Sequence, residues 1–97
     1  MQSATRFSVA KFMTQYITEV LGESIPSRAV CDVSLYDDFN VMDVEQAYYA
    51  QAACQLGIMG IRNKDKTMIS HFRPSDLITR AEFAAVLSRY LYGSRYE

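Results

Sequence analysis

The residues best placed to do chemistry in this chain are cationic. Arg62, Lys64, Lys66, His71 and Arg73 fall close together, and Arg80 follows at what reads as a helix start. Asn63-Lys64-Asp65-Lys66 has the composition of a turn tip. The plain reading of such a run is a solvated loop. The functional reading is a wall of Arg62, Lys64 and the helix start, facing an anionic polymer. Arg80 adds to it, because free N–H groups and the positive dipole end of a first helical turn attract anions. A guanidinium fork also pairs carboxylate or phosphate bidentately.

Other chemistries find little support. The single histidine, His71, adjoins a turn and has no Ser or Cys in a nucleophile context, so it reads as a surface or half-buried side chain. No phosphate-binding glycine loop or metal-ligand cluster is present. Asp32, Asp37 and Asp38 bring a calcium loop to mind, but the spacing of acids, the glycine and the closing glutamate of an EF-hand are missing. The expectation is a protein that is not an enzyme and uses no cofactor or metal.

Composition sets the frame. With 97 residues the chain is one domain with a modest core. At 49% apolar and 22% charged it has a globular balance, not a disordered one. A formal charge of −1 offers no global attraction for nucleic acid. No apolar run is long enough to span a bilayer, so membrane insertion is not expected. The opening M-Q-S-A-T-R-F lacks the apolar segment of a secretory signal. If the protein works outside the cell, this chain is expected to be a piece of a longer one.

Three helices must position the cationic residues, and the expected fold is all-α. The most strongly specified helix covers about 79–92. Thr79 is its N-cap and Glu82 can reach back to close a capping box, while Ile78 and Phe83 stand where a hydrophobic staple forms. Phe83, Val86, Leu87, Tyr90 and Leu91 then make a stripe to be buried, and Gly93 stops the helix. A first helix over about 5–21 carries Val9, Phe12, Met13, Tyr16, Ile17, Val20 and Leu21 at the same period and ends at Gly22. The middle helix, about 43–56, starts at Asp43 with Gln46 completing a weaker capping box, and ends at Gly57. Tyr48 and Tyr49 point to different faces of it, leaving one exposed. Between the first two helices, Glu23 to Met42 lacks periodicity and reads as an irregular connection with at most one short turn, pinned by Val30, Val33, Leu35 and Phe39.

Thr5-Arg6 set over Thr79-Arg80 brings Val9 onto Phe83, Met13 onto Leu87, Tyr16 onto Tyr90 and Ile17 onto Leu91. This is an internal repeat whose first copy has Ser8 in place of the capping glutamate and Ala4 in place of the staple isoleucine. Residues 1–22 thus read as the closing helix of a preceding, degenerate repeat, and 23–97 as one complete repeat, forming one compact domain together.

Phe72-Arg73-Pro74 followed by Ile78-Thr79-Arg80-Ala81-Glu82-Phe83 resembles the signature of the S-layer homology domain, F-x-P and then I-T-R-A-E-F. Upstream, Ala53 to Gly60 (A-C-Q-L-G-I-M-G) is similar to the family's A…L…G-I-I-x-G segment, and Cys31-Asp32-Val33 resembles its opening F-x-D-V. The motifs keep the family's order across about 31–93. Two cysteines, the short G-I-M-G and the closing L-S-R-Y-L-Y-G are most similar to versions from reduced-genome, poorly cultured bacteria. The resemblance implies an extracellular, cell-surface module that binds secondary cell-wall polysaccharide and holds a surface protein on the envelope. By position it implies Arg80 as a principal ligand contact, Arg6 as its weaker copy and Gly57 as part of a groove between repeats. The chain has no Trp, so Tyr48 or Tyr49 is the aromatic left to stack on a sugar.

Two points stay open at this level. Cys31 and Cys54 are either two buried thiols or a disulfide, which the extracellular location implied by the resemblance would permit. The function is either glycan anchoring or protein interaction. In the second case the helical scaffold contacts neighbouring repeats or self-associates through Tyr, Met and Leu side chains and binds no glycan, since one and a half repeats leave apolar surface uncovered.

Overall fold

The computed structural model describes residues 4–27, 31–61 and 69–91. Val30, Arg62, Lys64, Lys66 and Gly93, all named above, lie outside the described residues. The fold is all-α, with three α-helices among the described residues: α1 (Arg6–Gln15), α2 (Val44–Leu56) and α3 (Arg80–Leu91). The one core they share is built from Val9, Met13 and Ile17 of α1 and the turn that follows it, Ala50, Ala53 and Leu56 of α2, and Val86 of α3, with Tyr36, Ile58, Met59 and Phe72 from the connections.

Each helix start follows from its capping side chain. Thr79 Oγ1 accepts from the Glu82 N–H at 3.1 Å while Glu82 Oε1 accepts from the Thr79 N–H at 2.9 Å, a complete capping box. Asp43 and Gln46 make the same exchange at α2. Thr5 caps α1 by accepting from the Ser8 N–H at 3.0 Å. Gly57 ends α2 in the left-handed region at φ 74°, where a side chain would be strained.

The first helix departs from the single element expected over 5–21. Its α-helical hydrogen bonding stops at Gln15, and Tyr16–Val20 form a π-turn in which the Leu21 N–H donates to the Tyr16 carbonyl at 3.1 Å. The physical reason lies in Thr18, whose hydroxyl donates to the Thr14 carbonyl at 2.8 Å and so competes for the acceptor of the regular ladder. The stripe is also only half covered. Val9, Met13 and Ile17 are buried, but Phe12, Tyr16, Val20 and Leu21 are exposed, with Phe12 at 63% and Val20 at 67%. Among the described residues no element covers that flank. Leu91, at the end of the α3 stripe, is likewise exposed.

The connection between α1 and α2 holds two 3-10 turns, Val33–Leu35 and Phe39–Val41, where one turn at most was expected. Its anchor also differs from the expectation. Leu35 and Phe39 are exposed, and Tyr36 is the buried residue, its hydroxyl donating to the Gly60 carbonyl at 3.0 Å. Three residues per turn bring Val33 and Tyr36 onto one side and turn Leu35 outward. Gly60 permits this contact: at φ 81° it favours glycine, and a Cβ there would collide with the Tyr36 hydroxyl and crowd the Phe72 ring.

Cys31 and Cys54 form a disulfide, so the first of the open points is decided for the bonded pair. It fastens the connection to the end of α2, and Gln51 reinforces it by donating to the Cys31 carbonyl at 2.6 Å and accepting from the Val33 N–H at 2.7 Å. Reduction is expected to lower unfolding free energy by about 3 kcal/mol on the loop-entropy account, measured by urea titration with and without reductant. Thr14 is buried and its hydroxyl oxygen has no hydrogen-bond partner among the described residues. Thr14→Val should therefore raise stability by about 1 kcal/mol in the same titration.

Candidate functional site

The two helices that open with Thr-Arg meet at their N-termini. Thr5 and Leu77 form an antiparallel bridge, with the Arg6 N–H donating to the Asp76 carbonyl at 2.9 Å and the Ile78 N–H to the Ala4 carbonyl at 2.8 Å. The first turns of α1 and α3 are thereby held side by side, and Arg6 is brought across to the capping box of the other helix.

Arg6 is 5% exposed. Its Nε donates to the Phe72 carbonyl at 2.6 Å, its Nη1 to Glu82 Oε2 at 2.8 Å, and its guanidinium lies 5.4 Å from the centre of the Phe72 ring. Arg73 reaches the same Glu82 oxygen through Nη2 at 3.0 Å, and its Nη1 lies 3.6 Å from Asp76. Arg73 itself has φ 58°, a left-handed conformation unusual for a side-chain-bearing residue. The corner is held by Asp38, whose carboxylate accepts from the Phe72 N–H at 3.1 Å and the Arg73 N–H at 2.8 Å.

Beside this cluster opens a cleft of about 210 Å³. Arg6, Arg73 and Arg89 supply its cations and Glu82 its carboxylate, while Met59, Ile61, Ile69 and Val86 supply apolar wall and Gly60 part of the lining. Arg89 donates through Nη1 to the Ile58 carbonyl at 3.1 Å. Burial holds the pKa of both Arg6 and Arg89 below the ordinary value for arginine, yet a guanidinium stays charged at neutral pH. Among the described residues, three guanidinium groups against one carboxylate, partly desolvated and lined by apolar side chains, make the cleft suited to an anion with a nonpolar body.

The expected site residues are dispersed over this geometry. Arg6 lines the cleft but is also a buried structural cation. Arg80 is exposed on the first turn of α3, is not among the cleft-lining residues, and makes no hydrogen bond or ion pair among the described residues. Gly57 is buried as the cap of α2, and it is Gly60 of the same segment that lines the cleft. Tyr48 is 56% exposed and stacks edge-on against half-buried Tyr49. Tyr49 also accepts from Gln15 Nε2 at 3.2 Å, so the pair belongs to the α1–α2 contact. Ile78 and Phe83 pack on the core beside the Thr79–Glu82 box. His71 is exposed, 3.9 Å from Asp37.

Arg73 and Arg89 were not singled out as ligand residues from sequence. Arg89 had a signal, since it lies three and seven residues beyond Val86 and Glu82 and so on their face of the helix. Arg73 was visible only as part of the cationic run, because its direction depends on an uncommon backbone conformation held by a distant aspartate. Among the described residues no group of three or more His, Cys, Asp or Glu could hold a metal ion, and no helix is long and apolar enough to cross a membrane. No family model, curated protein or solved structure matches the chain.

The Glu82 carboxyl is held below its usual pKa of 4.5, chiefly by the Thr79 backbone N–H and further by the charges of Arg6 and Arg73, against a partly desolvated position that pushes the other way. A carboxyl depressed in the folded state stabilises fully above its unfolded pKa, and that contribution disappears as pH falls through the lower folded value. Glu82→Gln should thus flatten the acid limb of stability below about pH 4.5, read as the melting temperature against pH beside the parent chain.

Proposed function

We propose that the chain is a non-catalytic module that holds a protein on the cell surface by binding an anionic wall polysaccharide, in the manner of the S-layer homology domain it resembles. The observation that carries this reading is the cleft in which Arg6, Arg73 and Arg89 converge on apolar walls. The resemblance leads to an expected groove beside the G-I segment, and Met59 and Gly60 of that segment line the cleft. Exposed Arg80 is a second cationic station on α3 for a polymer longer than the cleft. A disulfide accords with an oxidising, extracellular location.

A protein-interaction role is the second reading, and one observation favours it. Phe12 and Tyr16 stack with ring centres 6.3 Å apart on the uncovered flank of α1, next to Val20 and Leu21. Neighbouring repeats or a second copy could cover such a surface.

Retention on purified cell-wall sacculi, with and without their anionic polymer, separates the two. Anchoring requires polymer-dependent, salt-sensitive retention that weakens by about tenfold or more in Arg73→Ala, with a further loss in Arg80→Ala. Retention indifferent to the polymer, together with a concentration-dependent oligomer on sizing that Tyr16→Ser dissolves, would establish the interaction module instead.

A further inference from the structure

Glu82 does more at this cleft than cap a helix. Its two oxygens are divided: Oε1 accepts from the Thr79 N–H at 2.9 Å, and Oε2 alone accepts from both Arg6 Nη1 at 2.8 Å and Arg73 Nη2 at 3.0 Å. Oε2 therefore sits between two guanidinium groups, in the seat an anionic ligand entering this cleft would take. Among the described residues, charged groups reach the carboxylate from three directions. Arg6 faces it from α1, Arg73 and Thr79 from the segment before α3, and Arg89 shares the cleft from further along its own helix, while Asp76 contacts Arg73 from the outer side. Tyr36, behind Arg6, is buried and its pKa is raised by that burial, so it is neutral at ordinary pH and does not compete.

We infer that Glu82 is a built-in counter-ion which competes with the ligand for Arg6 and Arg73, so that the cleft binds anions weakly while Glu82 is ionised and tightly once it is neutralised. This rests on the reading of the cleft as an anion site. It follows from the shared oxygen: a ligand anion and an ionised Glu82 repel across a partly desolvated cleft, and the same donors cannot serve both fully. Binding and protonation are then linked with one sign. Ligand favours protonated Glu82, and acid favours ligand until the carboxyl is fully neutral. The selectivity that results is for strong acids such as sulfate esters and phosphodiesters, which stay charged when Glu82 does not.

Dextran sulfate is a suitable probe because its charge does not change over the working range. Its affinity is measured calorimetrically for the parent chain, Glu82→Gln and Glu19→Gln, at about pH 7 and about pH 3.5, with circular dichroism confirming the fold in each condition. The Glu82→Gln variant keeps the capping box, which Glu and Gln both complete. Glu19 is exposed on the π-turn and gives the same charge change away from the cleft. The expected result is binding about tenfold tighter for Glu82→Gln than for Glu19→Gln at neutral pH, and a gain on acidification that is larger in the parent chain than in Glu82→Gln. Equal or weaker binding by Glu82→Gln at neutral pH, with the parent chain still binding, would overturn the counter-ion role and leave the anion cleft standing. Absence of binding by all three chains at both pH values would remove the anion cleft itself, and this inference with it.

Discussion

The structure depends most on one carboxylate. Glu82 closes the capping box of α3 with Thr79 and at the same time receives Arg6 from α1 and Arg73 from the preceding turn. Arg6 is nearly inaccessible to water, and an arginine in that position needs a charge partner and acceptors for its donors. Glu82 and the Phe72 carbonyl provide them. The local signal that starts a helix is thus also the tertiary contact that fastens the two ends of the chain's described part together.

Around that contact the order of the irregular segments comes from discrete polar ties rather than from regular hydrogen bonding. Asp38 takes two consecutive backbone N–H groups at Phe72 and Arg73, Gln51 bridges Cys31 and Val33, and Tyr36 reaches the Gly60 carbonyl. Each satisfies a backbone group that a loop packed on a core would otherwise leave unpaired. The Cys31–Cys54 bond adds a covalent clamp to the same side. A long connection can lie against the core in this way without forming an α-helix itself.

The chain therefore presents two contrasting surfaces. One is an apolar-walled cleft whose described residues carry a surplus of positive charge, and the other is the apolar flank of α1 carrying Phe12, Tyr16 and Val20. They ask for different partners: the first a small or threaded anion, the second another packed surface. Because the two faces are separate, occupation of one would not block the other.

Local chemistry made much of this legible. The Thr79–Glu82 and Asp43–Gln46 boxes, the stop at Gly57 and the all-α class follow from residues a few positions apart, and short-range hydrogen bonds and helical periodicity need no knowledge of the rest of the chain. The cysteine pairing was not settled by spacing, and Arg6 and Arg80, equivalent in sequence, take opposite fates. Arg6 is buried because Glu82 stands opposite it across the Thr5–Leu77 bridge, and α1 has Ser8 in the corresponding place. Periodicity likewise marked all of Phe12, Tyr16 and Val20 for burial, but whether a stripe is covered depends on what packs over it. The sequence by itself determined where helices begin and which residues are able to face a core. Only the tertiary structure decided which charges meet, because contacts between residues as distant along the chain as Arg6 and Glu82 depend on how every intervening segment is placed.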